Sequence, residues 1–181
     1  PRVSPDGCWI ACSNGTQLLV ASVPPGTQRL VGPPHVGLYD WAPDSSALAF
    51  VTATLPPEQW AEIHIYNPRR DALQTAISLE GEKAKIDHLV WSPDGRGLAF
   101  SCCLEVVEPY TQTGKSVGQV RRLDVGTRQV DTVGEIELRV AVRSQLCWTD
   151  SGEIIASPQR PSPGQAVRCS PEPYDLPVIS P

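Results

Sequence analysis

Four stretches of this chain repeat one another without a gap: VSPDGCWIAC at 3–12, WAPDSSALAF at 41–50, WSPDGRGLAF at 91–100 and WTDSGEIIAS at 148–157. The turn acid, or the serine in its place, falls at 6, 44, 94 and 151, so the copies lie 38, 50 and 57 residues apart. Each copy has a physical logic. Pro5, Pro43 and Pro93 carry the fixed φ that suits the second position of a turn, and Asp6, Asp44 and Asp94 follow them. Gly7, Gly95 and Gly152 stand where a positive φ is needed. Trp41, Trp91 and Trp148 end an incoming strand, and the runs closing on Phe50 and Phe100 open the outgoing one. Ala11, Ala49, Ala99 and Ala156 fall in one slot of the alignment, which predicts close packing between neighbouring sheets.

The intervening segments read as strands too. Asn14-Gly15 is a hairpin signal between apolar runs. Glu62 to Tyr66 alternates polar and apolar residues, as a half-buried strand does, and Leu73 to Leu79 follows a turn at 67–71. Gln119 to Val125 plays the same part in the next copy. No segment sustains a helical period, and 19 prolines in 181 residues oppose helices and central strands. Repeats of about 40–50 residues made of strands are propeller periods. The expected fold is therefore all-β: a β-propeller of four-stranded antiparallel blades over 1–157, three complete and a fourth in part, forming an incomplete ring. Residues 158–181, with seven prolines, are expected to be a loop or linker. The chain lacks methionine and is read as a piece of a longer protein.

WSPDGRGLAF at 91–100 resembles the hallmark of the TolB-like (PD40) family of propeller repeats, and the other three copies are similar to it with substitutions. WAPDSSALAF lacks the glycine, and WTDSGEIIAS lacks the proline. The resemblance implies a propeller fold. Such repeats occur in TolB and in the propellers of prolyl-oligopeptidase-like peptidases, so the resemblance is specific for fold and weak for function. The expected setting is periplasmic or extracytoplasmic in a bacterium, with the cytoplasm as the alternative.

Chemistry is sparse elsewhere. A net charge of −5 and scattered basic residues disfavour phosphate-backbone binding, so no nucleic-acid partner is expected. No 18-residue apolar stretch exists to insert in a membrane. The six cysteines include no CxxC pair, which argues against zinc. Cys12 aligns with Phe50 and Phe100 and is expected to face the core, and a bridge from Cys102 or Cys103 to a neighbouring blade stays open. His35, His64 and His88 are read as ordinary strand or loop residues. Gly114-Lys115-Ser116 lacks the upstream glycine of a phosphate loop, because Pro109 stands there. No G-x-S-x-G elbow occurs. No catalytic, metal or cofactor site is assigned, and the turn aspartates are read as structural.

The expected function is a non-catalytic scaffold that meets a protein partner through its loops. Thr52–Ala61 and Cys103–Gly118 are the loop candidates, with Trp60 and Tyr110 as aromatic contacts. The alternatives are the propeller domain of a prolyl-oligopeptidase-like hydrolase and, more distantly, a translation-factor propeller.

Overall fold

The copies of the turn each join the first two strands of an antiparallel sheet. The computed structural model describes residues 1–24, 26–53, 60–80, 84–104, 115–139, 144–149, 151–158 and 167–168. Among them are strands and turns and no helix. The first sheet is a meander of β1 (Arg2–Val3), β2 (Trp9–Ser13), β3 (Leu18–Ser22) and β4 (Gln28–Val31). The second runs β5 (Val36–Trp41), β6 (Leu48–Ala53), β7 (Ala61–Asn67) and β8 (Ala72–Ser78). The third runs β9 (Ala84–Trp91), β10 (Gly97–Leu104), β11 (Lys115–Asp124) and β12 (Val130–Arg139). The fourth has β13 (Ser144–Trp148), β14 (Ile154–Pro158) and β15 (Val167–Arg168), so Pro158, Val167 and Arg168 of the proline-rich stretch pair with a blade. Both proposed loops are shorter than their sequence bounds: Thr52–Ala53, Ala61, Cys103–Leu104 and Lys115–Gly118 belong to strands.

The strands gather in two compact units, Pro1–Glu82 and Lys83–Pro181. In the first, one face of the β1–β4 sheet (Ala11, Leu18, Val20, Val31) packs on one face of the β5–β8 sheet (Trp41, Leu48, Phe50, Tyr66). In the second, Ala99 and Val120 of the third sheet pack on Leu146, Ile154 and Ala156 of the fourth. Both seams follow one rule. The face bearing the small alanine of one blade meets the face bearing the Trp-and-Leu row of the next.

That rule corrects two expectations. Trp41 pairs with Leu48 and Trp91 with Leu98, but Trp148 pairs with Ile154. The fourth turn is one residue shorter after Gly152. The gapless alignment therefore slips there, and Ala156 occupies the phenylalanine slot while Ile155 takes the alanine slot. A side-chain period of two makes this slip exchange the faces. Cys12 is the second correction: it shares the slot of Phe50 and Phe100, which are fully buried, yet it is exposed. It lies on the β1–β4 face opposite the seam, and that face is open. Val3 and Leu30, on the same face by register, are 58% and 65% exposed.

Glu62 to Tyr66 also departs from simple alternation. Ile63 to Tyr66 are all buried, because β7 lies inside its sheet and both faces are covered. His64 reconciles its polarity with burial through two threonines. Its Nε2 lies 2.8 Å from Thr52 Oγ1 and its Nδ1 lies 3.2 Å from Thr75 Oγ1. The ring stacks on Phe50 at 5.0 Å.

Candidate functional site at the blade corners

Each corner carries a hydrogen-bond circuit made from its own sequence. Gly7 N–H donates to Ser4 O, and Gly95 N–H to Ser92 O, placing proline and aspartate at the two central turn positions. Gly7, Gly95 and Gly152 adopt φ of 71°, 68° and 84°. Ser45 fills the same slot in the second blade at φ 59°. The side chains add a second ring of bonds. Ser4 Oγ donates to Asp6 Oδ1 at 2.7 Å, and that oxygen also accepts Cys8 N–H at 3.0 Å. Ser92 Oγ and Asp94 Oδ1 repeat this at 2.6 Å, with Arg96 N–H as the amide donor. Asp44 Oδ1 accepts Ser46 N–H at 2.9 Å. These bonds favour the carboxylates. The Ser4 hydroxyl, then the Cys8 amide, bring Asp6 down to about 2. Asp94 and Asp44 are lowered chiefly by the Ser92 and Ser46 hydroxyls respectively. One oxygen, Oδ1, of each corner aspartate is thus committed to its own turn.

The tryptophans close the seams. Trp41 Nε1–H donates to Arg2 O at 3.2 Å, and Trp148 Nε1–H donates to Val90 O at 3.3 Å. Arg2 and Val90 are equivalent residues of the preceding blade. Trp41 and Trp91 are buried and Trp148 is half-buried. This bond was not foreseen from the sequence. The recurrence of tryptophan, rather than another large apolar residue, was its signal.

The two seams differ at their corners. In the first unit Asp6 N–H donates to Ser45 Oγ at 2.9 Å, and Arg69 Nη2 reaches Asp6 Oδ2 at 3.1 Å. In the second unit a recess of about 310 Å³ opens at the equivalent place, lined by Asp94, Arg96, Arg122, Asp124, Trp148 and Gly152 among others. Asp124 is held ionised by the Thr127 amide and hydroxyl, which lower its pKa.

Of the residues proposed as partner contacts, Trp60 is half-buried and already engaged within the protein, and Tyr110 lies outside the described residues. Among the described cysteines, Cys8, Cys12 and Cys147 are exposed free thiols, and Cys102 is buried. His88 sits opposite Ser101 in the β9–β10 ladder, far in sequence from His35 and His64. Among the described residues no three His, Cys, Asp or Glu side chains gather into a metal site.

No protein-family model matches the chain, and no curated protein sequence matches it. Solved structures do. TolB from Acinetobacter baumannii aligns over 98% of this chain and 39% of its own, at 16% identity and a TM-score of 0.57. Porphyromonas gingivalis dipeptidyl peptidase 4 aligns over 86% of this chain and 28% of its own, at 12% identity and a TM-score of 0.64. The β-propeller domain of the Trilobed protease from Pyrococcus furiosus aligns over 82% and 42%, at 18% identity and a TM-score of 0.53. This chain thus spans less than half the length of each. At such identities the likeness shows the fold, and the fold is that of a β-propeller, TolB-like in its blades.

Proposed function

We propose that this chain is a non-catalytic propeller scaffold of the TolB-like kind, part of an incomplete ring, that binds protein partners through the loops that join strands of its blades. The observation that carries the reading is the local bonding of the corner carboxylates. Asp6, Asp44 and Asp94 each spend a carboxylate oxygen on a backbone amide two residues on. A frame stiffened in this way holds variable loops in fixed positions, which is how recognition is commonly built on sheets. Residues 158–181 serve as a connecting segment in this reading. The setting proposed is the bacterial periplasm or another extracytoplasmic space, and cofactors have no part.

The test is affinity capture from the source cell with the full chain and with variants whose segments 54–59 and 105–114 are replaced by glycine-serine linkers. The expected result is loss of specific partners with an unchanged melting temperature. Retention of every partner by a folded, loop-replaced chain overturns the assignment.

A second reading is favoured by the match to dipeptidyl peptidase 4 over 86% of this chain. In it, the chain is the propeller domain of a prolyl-oligopeptidase-like serine hydrolase whose catalytic domain lies outside these residues. The parent gene decides between them: a downstream G-x-S-x-G elbow selects the hydrolase.

A further inference from the structure

The two seams compare residue by residue, because the register is the same. Ile10 pairs with Ala21 as Leu98 pairs with Leu123. Cys8, Val20 and Ser22 of the first seam therefore correspond to Arg96, Arg122 and Asp124 of the second. Ser45, whose hydroxyl closes the first corner onto Asp6, corresponds to Gly152, which has no side chain to reach Asp94. Where the first seam is lined by a thiol, an aliphatic chain and a hydroxyl, the second is lined by two guanidinium groups and a carboxylate around open space.

The charges in that space are unequally committed. Asp94 Oδ1 accepts the Ser92 hydroxyl and the Arg96 amide. Asp124 Oδ1 accepts the Thr127 amide and hydroxyl. Among the described residues the guanidinium groups of Arg96 and Arg122 make no direct hydrogen bond or ion pair, although each lies near enough to Asp94 and Asp124 respectively to help lower that carboxylate's pKa. By contrast Arg2 and Arg69 of the first unit bridge Asp40 at 2.6 Å and Asp6 at 3.1 Å. Trp148 has its N–H committed to Val90 O, so only the apolar part of its ring is left for the recess.

We infer that this recess binds a monocarboxylate carried on an apolar body, with Arg96 and Arg122 clamping the carboxylate and Trp148 meeting the body. Paired planar forks match the two oxygens of a carboxylate. Among the described lining residues two aspartates offset the two arginines, so selection rests on the planar forks and on the apolar ring of Trp148, and phosphate has no apolar body to meet that ring. A volume of about 310 Å³ lies at the small end of ligand sites. The acid has two sources, a free organic acid or the carboxy-terminus of a peptide. The site does not depend on partner binding through the loops.

The experiment is a nitrogen-15 NMR titration of the full chain, following the Trp148 indole N–H, assigned with Trp148→Phe. The probes are 3-phenylpropanoate, N-acetylphenylalanine, N-acetylphenylalanine amide and inorganic phosphate. We expect at least one acid to shift the Trp148 signal saturably with Kd on the order of 1 mM. The amide and phosphate bind at least about tenfold more weakly. Arg96→Gln with Arg122→Gln weakens the acid by at least about tenfold while the remaining spectrum stays folded. Gly152→Ser, restoring the hydroxyl of the first corner, abolishes binding. Tighter binding of N-acetylphenylalanine than of 3-phenylpropanoate identifies a peptide terminus, and the reverse identifies a free acid. The inference is overturned if neither acid shifts Trp148, or if the amide or phosphate binds the unmodified chain as well as the acids do.

Discussion

At the residue scale the corner serine is the hub. Ser92 Oγ donates to Asp94, accepts Gly97 N–H at 2.8 Å and is buried. Ser92→Ala leaves the Gly97 amide without its partner and frees the aspartate. A loss of about 1–2 kcal/mol is expected in urea denaturation. A change near zero would show that the turn is held by its backbone alone. His64 carries a pH dependence. Burial lowers its pKa, and Glu62, 3.4 Å away, opposes this only in part. The folded state therefore binds a proton less readily than the unfolded chain. The stability from neutral His64 is complete above the ordinary histidine value of about 6.5 and is lost as pH falls from there through the lower folded value. The urea midpoint is expected to drop between about pH 7.5 and 5.5. His64→Gln, which keeps hydrogen bonding without titrating, removes most of that drop.

At the element scale, two contacts set how strands meet. Gly32 has φ +76°, and a Cβ there would lie 2.5 Å from Phe50 Cζ. The loop after β4 thus passes directly over the core ring of the second blade. Gly32→Ala is expected to cost more than about 2 kcal/mol by thermal or urea melting, through overpacking and the left-handed backbone together. Full wild-type stability would mean that the ring shifts freely. The indole bonds behave differently. Trp148→Phe keeps most of the packing but removes the donor to Val90 O, so a loss of about 1 kcal/mol plus the cost of the smaller ring is expected. Hydrogen exchange localises it: faster exchange confined to β13 and β14 marks a seam bond, whereas a uniform change marks a global one.

At the scale of the whole molecule, the first sheet has two unlike faces. One carries Ala11, Leu18, Val20 and Val31 into the core, and the other leaves Val3, Cys12 and Leu30 exposed. Leu30→Lys is expected to change stability by no more than about 0.5 kcal/mol, while Val20→Lys, on the core face, costs more than about 4 kcal/mol. Equal effects in denaturant melts would contradict the two-faced sheet. Much of the architecture was legible beforehand because it rests on local rules. Proline and aspartate at fixed turn positions, left-handed glycines and alternating strands act over a few residues, and each copy repeats them. The sequence by itself determined the all-β class, the blade period and which residues make the corners. Tertiary structure alone decided the rest: the shortened fourth turn that moves Ala156 to the other face, the exposure of Cys12, the indole-to-carbonyl bonds and the recess between Arg96 and Arg122. Each of these depends on which sheet face lies against which neighbour. That is settled by contacts between residues about 40–60 positions apart, a distance over which local propensity carries no information.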